Sequence, residues 1–519
     1  MSHPPSYQPP QQHNQYGPPS MPYPSQYGPP QAPAPPNYDH KTMDQTAGGQ
    51  YGQRFEPKKR VNDIFFLILF IAQLLGFAAV SGIAIQAWVK DGGLGGGLGN
   101  GTQGGTGTSI TLDRHTAYLL LLVTAAAVLL SALYLILTRA FTSIIMHITL
   151  ILSILLNIGI CVYYWVIRYY SGAIVFTVIA LLSIFSYFGF RSRIPLASLL
   201  FQVVMDISKH HKSVFAVAII ALLVQAALSV WYTFTVTATY TRWTPNSPAC
   251  TSSCSSGTVA GLIFFETFSF LWTSMVVGNL AIATLAGGAY GAWYYFGPRE
   301  YDQLPKHPNL SAFGRASTLS LGSIAFGSLI VTLLELLKML LQMARNNANA
   351  DGQPIEAALA CCAECFVGCI EGMIQYFNRY AYIEIALYGK PYITAARDTW
   401  RLLMDRGVDA LVNDSLVGMT LTWGAYAIGL LSALFGYLYL RYTNPSYNAD
   451  GQYSPVIILF SFLIGVTCAM TLGSAIEAGV STIFVGLGED PQILAVRAPT
   501  LFELIRERYP RVVQRIPLV

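Results

Sequence analysis

The residues most able to do chemistry are the ionisable side chains that interrupt long apolar runs: Glu266, Glu335, Lys338, Glu364, Glu371, Arg379, Glu384 and Glu477. A charge at the centre of a bilayer costs roughly 2.5–3.5 kcal/mol on insertion scales, so each should face a partner or a cavity. Glu335 and Lys338 lie three apart on one helical face and are expected to neutralise each other. Glu371 falls near the middle of its run, with Arg379 two turns on as the nearest cation in sequence, and is the leading candidate for a substrate or proton role. A quaternary ammonium has no proton to donate, so a site for one needs aromatic ring faces helped by a carboxylate. Trp272, at a depth similar to that of Glu371, is expected to converge with it on such a cage. Glu266, Tyr380, Trp423 and Tyr426 are the further wall candidates, against the plainer reading that these aromatics pack the bundle or anchor its interfaces.

Other chemistries find little support. Cys361, Cys365 and Cys369 share one helical face and Cys362 with Cys365 forms a CxxC, yet no second CxxC or His pair completes a tetrahedral metal site. The glycine-rich stretch from Gly92 to Gly107 lacks the Lys-Ser or Lys-Thr ending of a phosphate-binding loop, and no HExxH or GxSxG occurs. The expectation is a protein that is not an enzyme, with no cofactor and no nucleic-acid partner.

The elements that must hold these groups are helices in a membrane. Hydrophobic residues make up 53% of the 519 and charged residues only 11%, against roughly 25% charged in soluble domains. Ten runs reach the ~20 apolar residues a span requires: 64–88, 116–137, 144–167, 172–190, 214–236, 258–296, 319–343, 355–388, 416–440 and 455–485. The fold class is therefore all-α, a polytopic membrane protein of about ten transmembrane helices. The sixth run is too long for one straight span and must tilt, break at Gly278, Gly287, Gly288 or Gly291, or turn back as a hairpin. Charge bias separates these cases, because cytoplasmic segments accumulate Lys and Arg. Ten spans with both termini inside put 22 basic residues inside and 6 outside, whereas a hairpin would give 12 and 16. We therefore expect ten helices with both ends cytoplasmic; the family resemblance described below implies that the membrane is the plasma membrane.

Residues 1–60 form a Pro/Gln/Tyr-rich segment too poor in aliphatic side chains to fold, expected to be a disordered cytoplasmic tail. Residues 61–490 are the transmembrane domain and residues 491–519 a cytoplasmic C-terminal segment. No apolar run with a cleavage site precedes the first span, which should act as signal anchor. The tail holds Pro4-Pro5-Ser6-Tyr7 and Pro35-Pro36-Asn37-Tyr38, two PPxY motifs of the kind WW domains bind, which makes a WW-domain ubiquitin ligase a candidate partner. Asn100 heads a glycosylation sequon in an outside loop, and Cys250 and Cys254 share another outside loop where a disulfide could form. The segments around 194–212 and 393–411 are amphipathic, suited either to lie on the inner leaflet or to pack as a belt against helix ends.

Several motifs resemble one family. Cys361-Cys362-Ala363-Glu364-Cys365, Asn378-Arg379-Tyr380-Ala381-Tyr382-Ile383, Tyr388-Gly389-Lys390 and Ala395-Ala396-Arg397-Asp398 are similar to the choline-transporter-like family. So are Gly322-Ser323-Ile324-Ala325-Phe326-Gly327-Ser328-Leu329-Ile330 and Ser481-Thr482-Ile483-Phe484-Val485 followed by Glu489-Asp490-Pro491. The short first outside loop and the Pro/Tyr-rich tail resemble its fungal branch, named for pH-nine sensitivity. The resemblance implies a ten-helix membrane protein and, as substrate, a small organic cation such as choline or a related amino alcohol. Facilitated diffusion or secondary, proton-coupled transport would move it. The alternative is a non-transporting scaffold or stress-response regulator acting through the tail.

Overall fold

The computed structural model describes residues 60–90, 114–168, 170–245, 255–296, 307–406, 409–443 and 454–508. The PPxY motifs, Asn100, Cys250 and Cys254 lie outside these residues. The described part is helical because a chain in hydrocarbon must satisfy its backbone N–H and C=O groups within itself. The spans are α1 (Ile64–Lys90), α2 (Arg114–Ala140), α3 (Thr142–Val166), α4 (Tyr170–Arg191), α6 (Ser213–Trp243), α7 (Ser256–Leu285), α10 (Leu321–Ala350), α11 (Pro354–Tyr388), α13 (Asp409–Thr443) and α14 (Ser454–Glu489). Among the described residues nine helices are individually long and apolar enough to cross a membrane; α4, joined across a 68° bend to α5 (Ile194–His210), supplies a tenth. Shorter helices α8 (Gly291–Phe296), α9 (Pro308–Thr318), α12 (Tyr392–Arg406), α15 (Pro491–Arg497) and α16 (Pro499–Arg508) gather at the end of the bundle where α1 starts and α14 stops, the inner end on the topology expected from charge bias.

The spans form two groups. One packs α1, α6, α7, α10 and α11 together; the other packs α2, α3, α13 and α14, with α4 against α3. Helices α13 and α14 share the most extensive seam, and small residues let them approach: a Cβ on Gly465 would stand 2.6 Å from Ser432 Oγ. Burial rises steeply toward the inner end. Apart from Ala348, the buried residues of α10 lie between Gly322 and Leu336. On α11 they concentrate from Asn378 to Leu387, and on α14 every residue from Ala478 to Leu487 is buried. The two groups therefore meet through their inner halves, where α14 packs on α11, α7 and the turn that follows α7.

The long sixth run is resolved by a break. A π-helical turn, Ala286–Tyr290, joins α7 to α8, and Gly288 leaves helical geometry at φ −100°, ψ −115°. The side chain of Asn309 on α9 fills the gap: Ala289 N–H donates to its Oδ1 at 2.8 Å, and its Nδ2 donates to Ser213 Oγ at 3.0 Å. Arg315 adds a hydrogen bond to Gly287 O at 2.9 Å. Helix α5, one of the two amphipathic segments, packs as a belt: Ile194, Leu200, Phe201 and Val204 are all fully buried in the inner core.

Gly288 sits against Asn309 with no room for a Cβ. Gly288→Ala should destabilise the protein by about 1–3 kcal/mol, the usual range for overpacking. Gly82→Ala, whose added methyl meets nothing within 4 Å, serves as the control. Thermal unfolding of both purified variants in detergent checks this, and equal midpoints would refute the packing argument.

Candidate functional site

The intramembrane charges are organised as ion pairs between helices. Lys338 on α10 reaches Glu371 on α11 at 2.6 Å, and Gln375 Nε2 donates to the other carboxylate oxygen at 3.0 Å. Lys338 acts on Glu335 on its own helix, as expected, but its hydrogen-bonded ion pair is with Glu371. The antiparallel neighbour α11 brings the more deeply buried carboxylate within reach, and one oxygen of half-buried Glu335 is left without a hydrogen-bond partner. Glu371 accordingly has the neighbouring cation that its sequence context lacked. One turn and more toward the outer end, Arg345 pairs with Glu364 at 2.7 Å. Toward the inner end Arg379 on α11 pairs with Glu477 on α14, joining the two helix groups.

The expected cage residues are not brought together. Trp272 is fully buried, its indole N–H donating to Ala325 O at 3.0 Å and its ring held between Phe70 and Phe268. It shares no partner with Glu371. Trp423 and Tyr426 stack edge-on at 6.3 Å on α13, and Tyr426 is 47% exposed on the outside of the bundle. Tyr380 is buried, its hydroxyl 3.1 Å from that of Tyr376, whose ring lies 5.9 Å from the Arg379 guanidinium. Glu266 is fully buried; Thr239 donates to one carboxylate oxygen, and the other has no hydrogen-bond partner.

Below Arg379 and Glu477 a polar seal closes the inner end. Tyr290 OH donates to Ala475 O at 2.9 Å and Tyr294 OH to Asp490 O at 3.0 Å. Tyr295 OH donates to Asp490 Oδ2 at 2.9 Å and lies 2.6 Å from Tyr388 OH. Glycines seat these rings: a Cβ on Gly479 would fall 2.6 Å from the Tyr290 ring and one on Gly486 2.8 Å from that of Tyr294. A second lock is made by the residues that precede α1. Asp63 accepts from Ser323 Oγ at 2.6 Å and from the Tyr392 N–H at 2.9 Å, capping the start of α12. Asn62 donates to Gly389 O at 2.9 Å, at the left-handed C-cap that stops α11.

Electrostatics reinforce this corner. Lys390 bridges Glu384 at 2.8 Å and Asp398 at 2.9 Å. Burial alone would lower its pKa, but the carboxylates, Glu384 foremost, more than offset that and raise it. Burial pushes the Tyr392 hydroxyl up to about 12, against the opposing effect of its hydrogen bond to Asn378. Sequence reasoning missed Asn62, Asp63, Tyr290 and Tyr295, and met Asp490 only within the Glu489-Asp490-Pro491 motif without giving it a role. The visible signal of Asn62 and Asp63 was position alone, an Asn-Asp just before the first apolar run. Among the described residues no group of His, Cys, Asp and Glu could hold a metal ion.

The Arg379–Glu477 pair should carry measurable coupling. Replacing each by Gln singly should destabilise the protein more than the double replacement accounts for, with an interaction energy of roughly 0.5–3 kcal/mol. A double-mutant cycle on chemical unfolding in micelles reads it, and additive single effects would show the pair to be inert.

Comparison with known proteins agrees with this architecture. A family model described as plasma-membrane choline transporter matches residues 174–492. The chain is 61% identical over 473 residues to Protein PNS1 of Cryptococcus neoformans var. neoformans serotype D, covering 91% of this chain and 86% of that protein. It is 43% identical over 472 residues to Protein PNS1 of Mycosarcoma maydis, covering 90% and 87%, and 36% identical over 464 residues to Protein PNS1 of Candida albicans, covering 88% of each. A multi-pass helical membrane protein that shares this match over most of its spans belongs to the plasma-membrane choline transporter family.

Proposed function

We propose that this chain is a plasma-membrane transporter of a small organic cation, choline or a related amino alcohol, with both termini cytoplasmic. The observation that carries the reading is the burial gradient: two helix groups are locked together at the inner end by hydrogen bonds and an ion pair, while toward the outer end α10 and α11 pair chiefly with each other. This gradient supports an alternating-access carrier closed on its inner side, with the substrate entering between the groups above the Arg379–Glu477 pair.

Glu371 supplies the anionic feature nearest this path, on the α10–α11 seam within one group. Its carboxylate is 8% exposed and held by Lys338, whose own side chain is 35% exposed, so a substrate cation would compete with a partly exposed ammonium for it. Tyr376 offers a ring face between one and two turns further in, with fully buried Tyr380 packed behind it. With Trp272 sealed among Phe70, Phe268 and Ala325, the cage reading rests on these tyrosines and on Trp423 rather than on Trp272. Glu266 stands apart, between α6 and α7, as a carboxylate with no cation of its own.

Transport of one positive charge down a cytoplasm-negative potential gains about 2.3 kcal/mol per 100 mV, so uptake needs no coupled ion. Labelled choline should enter proteoliposomes saturably and faster under an imposed inside-negative potential, and Glu371→Gln should cut the rate at least about tenfold with the protein still folded. Protein-free rates of choline entry, with folding verified, would sink choline as the substrate and turn attention to a tail-mediated scaffold role. Choline entry unaffected by Glu371→Gln would keep the transporter but move its site.

A further inference from the structure

Helix α12 has two apolar faces, and the bundle uses only one. Tyr392, Ala395, Thr399 and Leu402 are buried, recurring at intervals of three and four, and the helix is pinned by Asp63 at its start and by Asp398 to Lys390. The opposite face carries Ile393 at 60% exposure, Trp400 at 60% and Met404 at 68%. No described residue covers them. Among the amphipathic and short helices of the inner end this is uncommon: the described side chains of α5, α15 and α16 include no exposed large apolar one, and α9 shares the feature through Leu310 and Phe313.

Charge and position identify what covers the stripe. Arg397 and Arg401 flank Trp400 and are both exposed; Asp398, the acidic residue beside them, is already engaged by Lys390 and lies 3.9 Å from Arg401. Only Gly389, Lys390 and Pro391 separate α12 from the end of the spanning helix α11, a link that extends at most about 11 Å. The helix therefore cannot leave the level of the membrane surface. A protein partner fits poorly, since stable interfaces bury about 800 Å² on each side, more than three side chains on a 15-residue helix offer.

We infer that the outer face of α12 is an interfacial surface that binds an anionic lipid leaflet, Ile393, Trp400 and Met404 entering the acyl boundary and Arg397 and Arg401 meeting the headgroups. Because the buried face of the same helix closes on Asp63, Asn378 and Lys390, the leaflet holds one wall of the inner seal. The inference does not depend on what the protein carries.

Trp400 is the reporter, isolated from the other seven tryptophans by subtracting a Trp400→Phe variant. The full-length protein is reconstituted in vesicles of phosphatidylcholine with brominated acyl chains, with and without phosphatidylserine, and quenching is compared with that by aqueous iodide. The expected result is that brominated lipid quenches the Trp400 component at least about twofold more than iodide does. Phosphatidylserine should deepen the quenching, and the Arg397→Gln/Arg401→Gln variant should lose that dependence while keeping its thermal midpoint. Quenching by iodide alone would overturn the proposal and place the stripe in water. Quenching by neither agent would overturn it in favour of a protein cover or a second copy, and indifference to phosphatidylserine would overturn the anionic selection.

Discussion

The structure depends on one constraint: charges in hydrocarbon need partners, and apart from Glu266, held by Thr239 alone, the strongest partners are opposite charges from another helix. Lys338 with Glu371, Arg345 with Glu364 and Arg379 with Glu477 each tie two helices, and each pair sets which faces of α10, α11 and α14 turn together. Leaving one partner uncompensated is strongly destabilising, whereas the intact pair contributes little net stability against an apolar alternative. Such pairs are therefore better at specifying an arrangement than at strengthening it. They also fix the rotation of α11, which presents Glu364 and Glu371 to α10 on one side and Arg379 to α14 on the other.

The inner seal follows from that rotation. With Arg379 held against α14, the next turns of α11 bring Tyr380, Tyr382 and Ile383 into the core, and Asn378 donates to Gly327 O at 3.1 Å while accepting from Tyr392 OH at 2.7 Å. The break at Gly288 serves the same end. It redirects the last turns of the long sixth run so that Tyr290, Tyr294 and Tyr295 meet the end of α14 and Asp490. A straight helix of that length would have carried these tyrosines out of the bundle.

The ten spans were legible in the sequence because hydrocarbon permits few alternatives to a long apolar helix, and the run 455–485 lies wholly within α14. The break in the sixth run was legible as a length excess with glycines in it. Pairing between helices was not. Helical spacing offers Lys338 only the neighbours on its own helix, and nothing local says that Glu371, 33 residues away, will be closer in space. The Trp272–Glu371 convergence failed for the same reason: equal depth in two helices says nothing of which faces they turn to each other. Asn62 and Asp63 were passed over because their roles are set by partners more than 250 residues away, Gly389, Ser323 and Tyr392.

Where the bundle can flex follows from what each seam is made of. The α13–α14 seam is built on small residues in close contact, Gly429 against Phe462, Gly436 against Ser461 and Gly465 against Ser432, so separating those helices would open voids with nothing to fill them. The seal between the two groups combines an apolar core, to which Ile383, Leu387, Ile483 and Phe484 belong, with tyrosine hydroxyls, a carboxylate and an ion pair that water can replace. A hydrogen bond of this kind contributes a net ~0.5–1.5 kcal/mol, so the three tyrosine contacts across the seal, with Ala475 and Asp490, add a few kcal/mol to the apolar packing. The α13–α14 pair is therefore expected to move as one body, with the hinge at its contacts to α7, α11 and the turn around Gly288. In the alternating-access cycle proposed above, Glu477, on the moving body, would change its distance to Arg379 in the step that opens the inner end, which makes that ion pair the point where closure on one side of the bundle is felt on the other.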